Sequence, residues 1–160
     1  MGYLNKYLDT GTRADKYTND SLYGLVKQII GMQKTNVYPS LTNAVDITTG
    51  NASWVLGAFH EFVPSGAINK AFKVQYLNTA QFSANNITYE IVLYTGVIGQ
   101  EVEIGRTRAN GGVSSGSNKE PKMPIMSPIL PAGTRISYRA ATNRDATETC
   151  IASVIYFTYD

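Results

Sequence analysis

A run near the end of the chain, Thr149–Tyr159, reads TCIASVIYFTY. Residues two apart along a β-strand lie on the same face of its sheet. Both faces of this strand are largely apolar, one with Ile151, Ile155 and Phe157 and the other with Cys150, Ala152, Val154 and Tyr156. Such a strand is covered twice, by an opposing sheet and by a second surface. We expect the second surface to be the N-terminal helix or a neighbouring subunit.

Upstream, runs rich in Tyr, Val, Ile, Phe and Thr are separated by turns of Gly, Pro, Asn and Ser. The predicted strands are Trp54–Val63, Ala71–Asn78, Ile87–Thr95, Glu101–Arg108, Pro124–Ile129, Thr134–Ala141 and Thr149–Tyr159, with a further short strand at Ala44–Thr48. In the second of them Phe72, Val74 and Tyr76 are predicted to share one face. Seven or eight strands with no helix between them indicate an all-β fold, an antiparallel β-sandwich of jelly-roll type.

The first part of the chain follows a different pattern. Asp20 and Ser21 offer an N-cap, and Gly31 offers a C-terminal stop. Between them, apolar residues recur at helical spacing at Leu22, Leu25, Val26, Ile29 and Ile30. We therefore predict an N-terminal arm and one short amphipathic helix in residues 1–35 and a β-sandwich domain in residues 36–160. The residues before the helix mix charges with tyrosines, so we expect no secretory signal peptide.

Composition excludes several classes of protein. Of the 160 residues, 43% are hydrophobic, which is a globular and not a disordered share. The formal net charge is only +2, so we expect no nucleic-acid partner. The longest apolar runs, such as Ile151–Phe157, are too short to cross a bilayer, and we expect no membrane partner.

The groups that carry catalysis or bind metals are scarce. His60 is the only histidine and Cys150 the only cysteine, so neither a catalytic triad nor a cysteine-based zinc site is indicated. Asp46, Glu61 and Glu90 lie on separate predicted strands and would form a carboxylate pair for glycoside cleavage only if the fold joined them. We predict no enzyme, no cofactor and no metal.

Two features favour contacts with other proteins. Arg106 and Arg108 are predicted to share one strand face, as are Arg135 and Arg139. Paired guanidinium groups suit an interface, although a solvated outer face that resists aggregation is an equal alternative. The second feature is the arm, where Tyr-Leu pairs need a surface to bury them. The predicted interface residues of the arm are Tyr3, Leu4, Tyr7 and Leu8, and those of the helix are Leu22, Leu25, Val26, Ile29 and Ile30.

Three segments of the predicted sandwich share a further pattern: Tyr89–Gly96, Ile104–Arg108 and Leu130–Arg139, the last of which contains the phrase Pro-Ala-Gly-Thr-Arg-Ile-Ser before the closing strand. These segments resemble small β-sandwich virion proteins of tailed bacteriophages. The resemblance covers roughly residues 54–160. It implies a virion structural role, usually as a homotrimer, among decoration (cement) proteins, head-fibre bases and tail or baseplate appendages.

We therefore expect a non-enzymatic capsid decoration protein on the capsid surface of a virion assembled in the host cytoplasm. Its expected partners are other copies of itself, as a trimer, and the major capsid protein or another virion protein. The alternative is a carbohydrate- or receptor-binding module of a tail fibre or baseplate. In that case Trp54, Tyr138 or Tyr159 with nearby Asn and Arg would contact a glycan.

Overall fold

The computed structural model describes residues 34–111 and 122–159. Within these residues the elements are β1 (Lys34–Tyr38), a 3-10 helix (Leu41–Asn43), β2 (Val45–Thr48), β3 (His60–Val63), β4 (Ala71–Ala80), β5 (Thr88–Thr95), β6 (Val102–Asn110), β7 (Lys122–Pro124), β8 (Ile136–Thr142) and β9 (Thr149–Tyr159). The described part of the chain is therefore all-β, as predicted from the sequence. It contains no helix with the length and hydropathy needed to cross a bilayer.

The strands form two antiparallel sheets. In sheet I the order is β1-β9-β4-β7, and β2 also pairs with β9. In sheet II the order is β3-β8-β5-β6. Most consecutive strands lie in different sheets, so the chain repeatedly crosses between them. Only the β5–β6 pair is a hairpin of consecutive, hydrogen-bonded strands in this part of the chain.

One hydrophobic core joins the two sheets. Its largest fully buried side chains include Tyr89, Tyr138, Phe62 and Phe72. The Tyr138 hydroxyl donates to the Asp46 carbonyl oxygen at 2.8 Å and accepts from the Thr48 amide at 3.2 Å, so a sheet II side chain holds β2 of sheet I. Burial raises the pKa of Tyr138, which keeps its hydroxyl protonated and able to donate.

Strand β9 lies between β1 and β2 on one side and β4 on the other. Its residues Cys150, Ala152 and Val154 belong to the core, whereas Ile151 and Ile155 point to the outer face of sheet I. Burial raises the pKa of the Cys150 thiol to about 12, so this cysteine packs as a small hydrophobe.

Two predicted strands differ substantially from those observed, one strand was not predicted, and the other predicted strands agree to within about two residues at each end. The predicted strand Trp54–Val63 is shortened to His60–Val63, because residues before His60 form a looped segment that packs on sheet II. The predicted strand Pro124–Ile129 is replaced by the short β7 (Lys122–Pro124). Strand β1 (Lys34–Tyr38) was not predicted, because Lys34 and Asn36 have weak β-propensity and interrupt the run, and the segment forms a strand by pairing with β9.

The prediction that Phe72, Val74 and Tyr76 share one face is wrong for Tyr76. The register shifts between Val74 and Tyr76, so a bulge turns Tyr76 outward and Leu77 into the core. The predicted N-terminal arm and helix lie outside the described residues. Strand β1 begins at Lys34 and runs through the predicted boundary at residue 35.

Candidate interaction surfaces

All four predicted arginines lie on the outer face of sheet II. Along β5, Ile91 and Leu93 belong to the core, so Glu90, Val92 and Tyr94 point outward. The register pairs Glu90 with Arg108, and it pairs Val92 with both Arg106 and Arg139. Arg135 precedes β8 on the same alternation as Arg139. The pairing of β6 and β8 with β5 thus unites two arginine pairs that the sequence places thirty residues apart.

Glu90 is the centre of this network. Its carboxylate accepts from the Arg108 Nε at 2.7 Å and from the Arg106 Nη1 at 3.1 Å, and its side chain is only 9% exposed. Arg106 also donates from Nε and Nη2 to both carboxylate oxygens of Glu103, at 2.9 and 2.8 Å. This two-bond contact lowers the pKa of Glu103 and raises that of Arg106. Each guanidinium therefore has a fixed orientation.

The other two arginines bond mainly to loops. The Arg135 Nε donates to Glu61 at 3.2 Å, and its Nη1 donates to the Gly96 carbonyl oxygen at 3.2 Å. The Arg139 Nε and Nη2 donate to the carbonyl oxygens of Gly57 and Leu56, at 2.7 and 2.9 Å. All four guanidinium groups therefore bond within the chain, and their role at a partner interface remains a prediction.

Residues 50–59, the cover segment, cross the end of β8 and pack on this face. The Gly50 and Gly57 amides both donate to the Ala140 carbonyl oxygen, at 3.0 and 2.9 Å. A Cβ on Gly57 would lie 2.9 Å from the Gly50 nitrogen, and a Cβ on Gly50 would overlap the Val55 carbonyl oxygen. Only two glycines let the ends of the cover segment approach this closely.

The cover segment presents two aromatic rings on sheet II. Trp54 adopts a left-handed backbone (φ 59°), and its amide donates to the Thr142 carbonyl oxygen at 2.7 Å. The Arg108 guanidinium lies 4.8 Å from the centre of its ring. Phe59 has the Arg139 guanidinium 5.0 Å from its ring centre and an edge contact with Tyr94. A bulky residue in the left-handed region costs about 1–3 kcal/mol, so surrounding contacts hold Trp54 there.

The outer face of sheet I has a different chemistry. Across β1, β9, β4 and β7, the register places four apolar residues side by side, which we call the apolar row: Val37, Ile155, Tyr76 and Pro124. The neighbouring position on β9 is Phe157, which is half-buried. Val37 and Tyr76 are 40% and 37% exposed. The apolar row was missed in the sequence, because the β4 bulge and the β1 pairing create it.

The remaining candidates do not form a catalytic centre in the described residues. Glu61 and Glu90 share sheet II but each bonds to arginine, and Asp46 lies on sheet I. His60 is exposed on strand β3 and stacks on the Tyr138 ring, with 5.3 Å between the ring centres. Residues 34–111 and 122–159 contain no group of three or more His, Cys, Asp or Glu side chains placed to hold a metal ion.

The three aromatic residues predicted to bind a glycan differ in how far they are exposed. Tyr138 is buried in the core, where its hydroxyl bonds to the backbone, and Tyr159 is partly buried at the end of β9. Trp54 is 46% exposed. Phe59, which is 42% exposed, was not predicted, because its position in the cover segment depends on the fold.

These surfaces define the chain as a two-sheet β domain with one outer face that the chain covers itself and one outer face that carries the apolar row. No protein-family model matches it, and no curated protein is significantly similar to it in sequence. Its structure is similar to a solved structure of the infectious bursal disease virus Gx strain, with a TM-score of 0.42, 10% identity and coverage of 79% of this chain and 32% of that chain. A structure of the infectious bursal disease virus VP2 subviral particle has a TM-score of 0.33, 10% identity and coverage of 79% and 30%. The chain spans about a third of the length of either viral chain.

Proposed function

We propose that this chain is a non-enzymatic structural protein of a virion, and specifically a capsid decoration protein of a tailed phage. The strand order supports this proposal. Sheet I has the order β1-β9-β4-β7, with β2 also paired with β9, and sheet II has the order β3-β8-β5-β6. Together these are the two strand orders of a jelly roll. Jelly rolls recur in viral capsid and lectin domains. The phage-type phrase of Leu130–Arg139 provides the turn before β8 and the first four residues of that strand.

The apolar row is the observation that carries the proposal. It crosses four adjacent strands, and three of its members, Val37, Tyr76 and Pro124, remain more than a third exposed. Burying apolar surface against a partner stabilises the contact by about 25 cal/mol per Å2. On a shell with many copies, even modest contacts add through avidity. The row therefore fits a protein that reinforces an assembly.

The described residues begin with an edge strand of sheet I. Strand β1 begins at Lys34 and contributes Val37 to the apolar row, so residues 1–33 connect to the edge of sheet I. In this proposal the arm and helix bind neighbouring subunits through their Tyr, Leu, Val and Ile side chains. The partners are further copies in a trimer and the major capsid protein, and the location is the capsid surface after assembly in the host cytoplasm.

The charges of sheet II support partners other than nucleic acid. Arg106, Arg108, Arg135 and Arg139 are matched on the same face by Glu61, Glu90, Glu101 and Glu103. A surface that binds the phosphate backbone would carry a clear excess of positive charge.

The test compares three proteins by light scattering and by co-sedimentation with undecorated capsids. They are the full chain, the full chain with Val37→Lys and Tyr76→Lys, and a chain lacking Met1–Gly31 whose folding is checked by circular dichroism. We expect a trimer that decorates capsids for the first and loss of decoration for the other two. The matched control is Val97→Lys, an exposed valine in the β5–β6 turn that lies outside the apolar row. A truncated chain that still decorates capsids would contradict the proposal.

A further inference from the structure

The Trp54 ring has a fixed orientation on the outer face of sheet II. Its backbone amide bonds to the Thr142 carbonyl oxygen, and the preceding Ser53 amide donates to Asp145 Oδ1 at 2.8 Å. The Arg108 guanidinium occupies one position above the ring, and the buried carboxylate of Glu90 fixes that guanidinium. Trp54 keeps 46% of its surface exposed, so this held side chain remains accessible to a ligand.

A second aromatic ring repeats this arrangement. Phe59 is 42% exposed, and Arg139, fixed by two carbonyl oxygens, lies over it. Arg108 is on β6 opposite Glu90, and Arg139 is on β8 opposite Val92, so β5 and a two-residue offset separate the backbone positions of the two arginines that contact the rings by roughly 12 Å. This separation suits a chain of linked sugar rings better than a single ring.

The polar groups beside the rings suit an uncharged ligand with hydroxyl groups. The four arginines of this face are balanced by four glutamates, so a charged ligand gains little net attraction. Within the described part of the chain, Arg108 bonds through Nε alone, which leaves its two Nη groups to donate to a ligand. Carboxylate oxygens of the network can accept from hydroxyl groups.

We infer that Trp54 and Phe59, with Arg108 and Arg139, form a binding site for a neutral oligosaccharide. A pyranose ring has an apolar face of C–H groups that packs flat on an aromatic side chain, while its hydroxyl groups hydrogen-bond to charged groups at the rim. The rings and guanidinium groups are already held in place, so binding orders few side chains. This site lies on the sheet opposite the apolar row, and it does not depend on the decoration role.

Trp54 is the only tryptophan of the chain, so its fluorescence reports on this site alone. The full chain is first applied to an array of neutral and acidic oligosaccharides, and the neutral compound with the strongest signal is then titrated against tryptophan emission. We expect saturable binding of neutral oligosaccharides accompanied by a change in Trp54 emission. The inference is overturned if no neutral oligosaccharide binds, or if only acidic ones do.

Variants locate the binding on the array and by calorimetry. We expect Trp54→Ala to lower affinity by at least about tenfold, and Phe59→Ala and Arg108→Ala to lower it by smaller factors. Tyr76→Ala, an exposed aromatic on the other sheet, is the matched control and should bind as the unsubstituted chain does. Thermal melting confirms that each variant is folded, and Arg108→Ala replaces Trp54→Ala if the latter unfolds. Unchanged affinity in folded Trp54→Ala and Arg108→Ala variants overturns the site.

Discussion

On sheet II, the chain covers its own outer face, whereas on sheet I the apolar row of the outer face is left partly exposed. The cover segment and the arginine–glutamate network bury Val92 and Ala141 completely, although neither points into the core. On sheet I, Ile155 is also buried at its outward position, but Val37 and Tyr76 on either side of it keep more than a third of their surface exposed. The two faces of one sandwich therefore offer different chemistry to partners.

The difference has an energetic meaning. A protein that docks on sheet II must desolvate charged groups that already have good partners, so it gains little from them. A protein that docks on the apolar row of sheet I removes apolar surface from water, and that contribution is favourable. Sheet I is thus suited to assembly, and sheet II is suited to a small polar ligand placed on its exposed rings.

The largest expected effect on the free energy of unfolding comes from disrupting the close approach of the two ends of the cover segment. Gly50→Val places a side chain against the Val55 carbonyl oxygen, so we expect a loss of about 3 kcal/mol in the free energy of unfolding. Urea denaturation measures this loss. Gly66→Ala is the control, because its site has open space and only its positive φ opposes a side chain, for a loss of about 1 kcal/mol. Equal losses in both variants would mean that the cover segment is not held by the close approach of glycines.

The next effect tests the centre of the arginine network. Glu90→Gln removes the charge that holds Arg106 and Arg108, and we expect the free energy of unfolding to fall by about 2 kcal/mol. Glu103→Gln, which alters a more exposed contact, should cost less than about 1 kcal/mol. Urea denaturation at low and high salt compares the two variants. A larger loss in Glu103→Gln would contradict the central role of Glu90.

A smaller effect on folding is expected on the apolar row. Val37→Lys and Tyr76→Lys replace partly exposed side chains on strands whose backbone pairing is unchanged, so each should alter the free energy of unfolding by less than about 1 kcal/mol. Differential scanning calorimetry at low protein concentration measures this change. Severe destabilisation by either substitution would show that the row supports the domain itself and is not available to a partner.

The smallest effect is the pH dependence of the Glu103–Arg106 pair. The hydrogen bond from Arg106 lowers the pKa of Glu103 below its unfolded value of 4.5. The pair therefore contributes stability above that value, and the contribution is lost as the pH falls through the lower folded pKa. We expect Glu103→Gln to have a lower melting temperature than the unsubstituted chain at pH 7, and the difference to vanish at strongly acidic pH. A difference that persists in acid would assign it to packing instead of charge.

Several of these features follow directly from local patterns. Strand β9 was predicted with its observed bounds, because its apolar residues occupy both registers of one uninterrupted run. The shared face of Arg106 with Arg108 follows from alternation within β6, and that of Arg135 with Arg139 follows from the same alternation continued one residue before β8. The exposed apolar row does not, because a bulge between Val74 and Tyr76 reverses the alternation.

The sequence alone was thus sufficient for the all-β class, for the approximate positions of most strands and for the scarcity of catalytic groups, since these depend on residue type and on short-range alternation. Three features depend on pairing between distant strands. They are the contacts of the four arginines with their glutamates, the packing of residues 50–59 on sheet II, and the apolar row. Glu90 and Arg108 meet across β5 and β6, and Val37 and Ile155 meet across β1 and β9. Alternation along a strand determines which of its residues share a face. The register between strands determines which residues of distant segments lie side by side, and this register is set by the packing of the whole core.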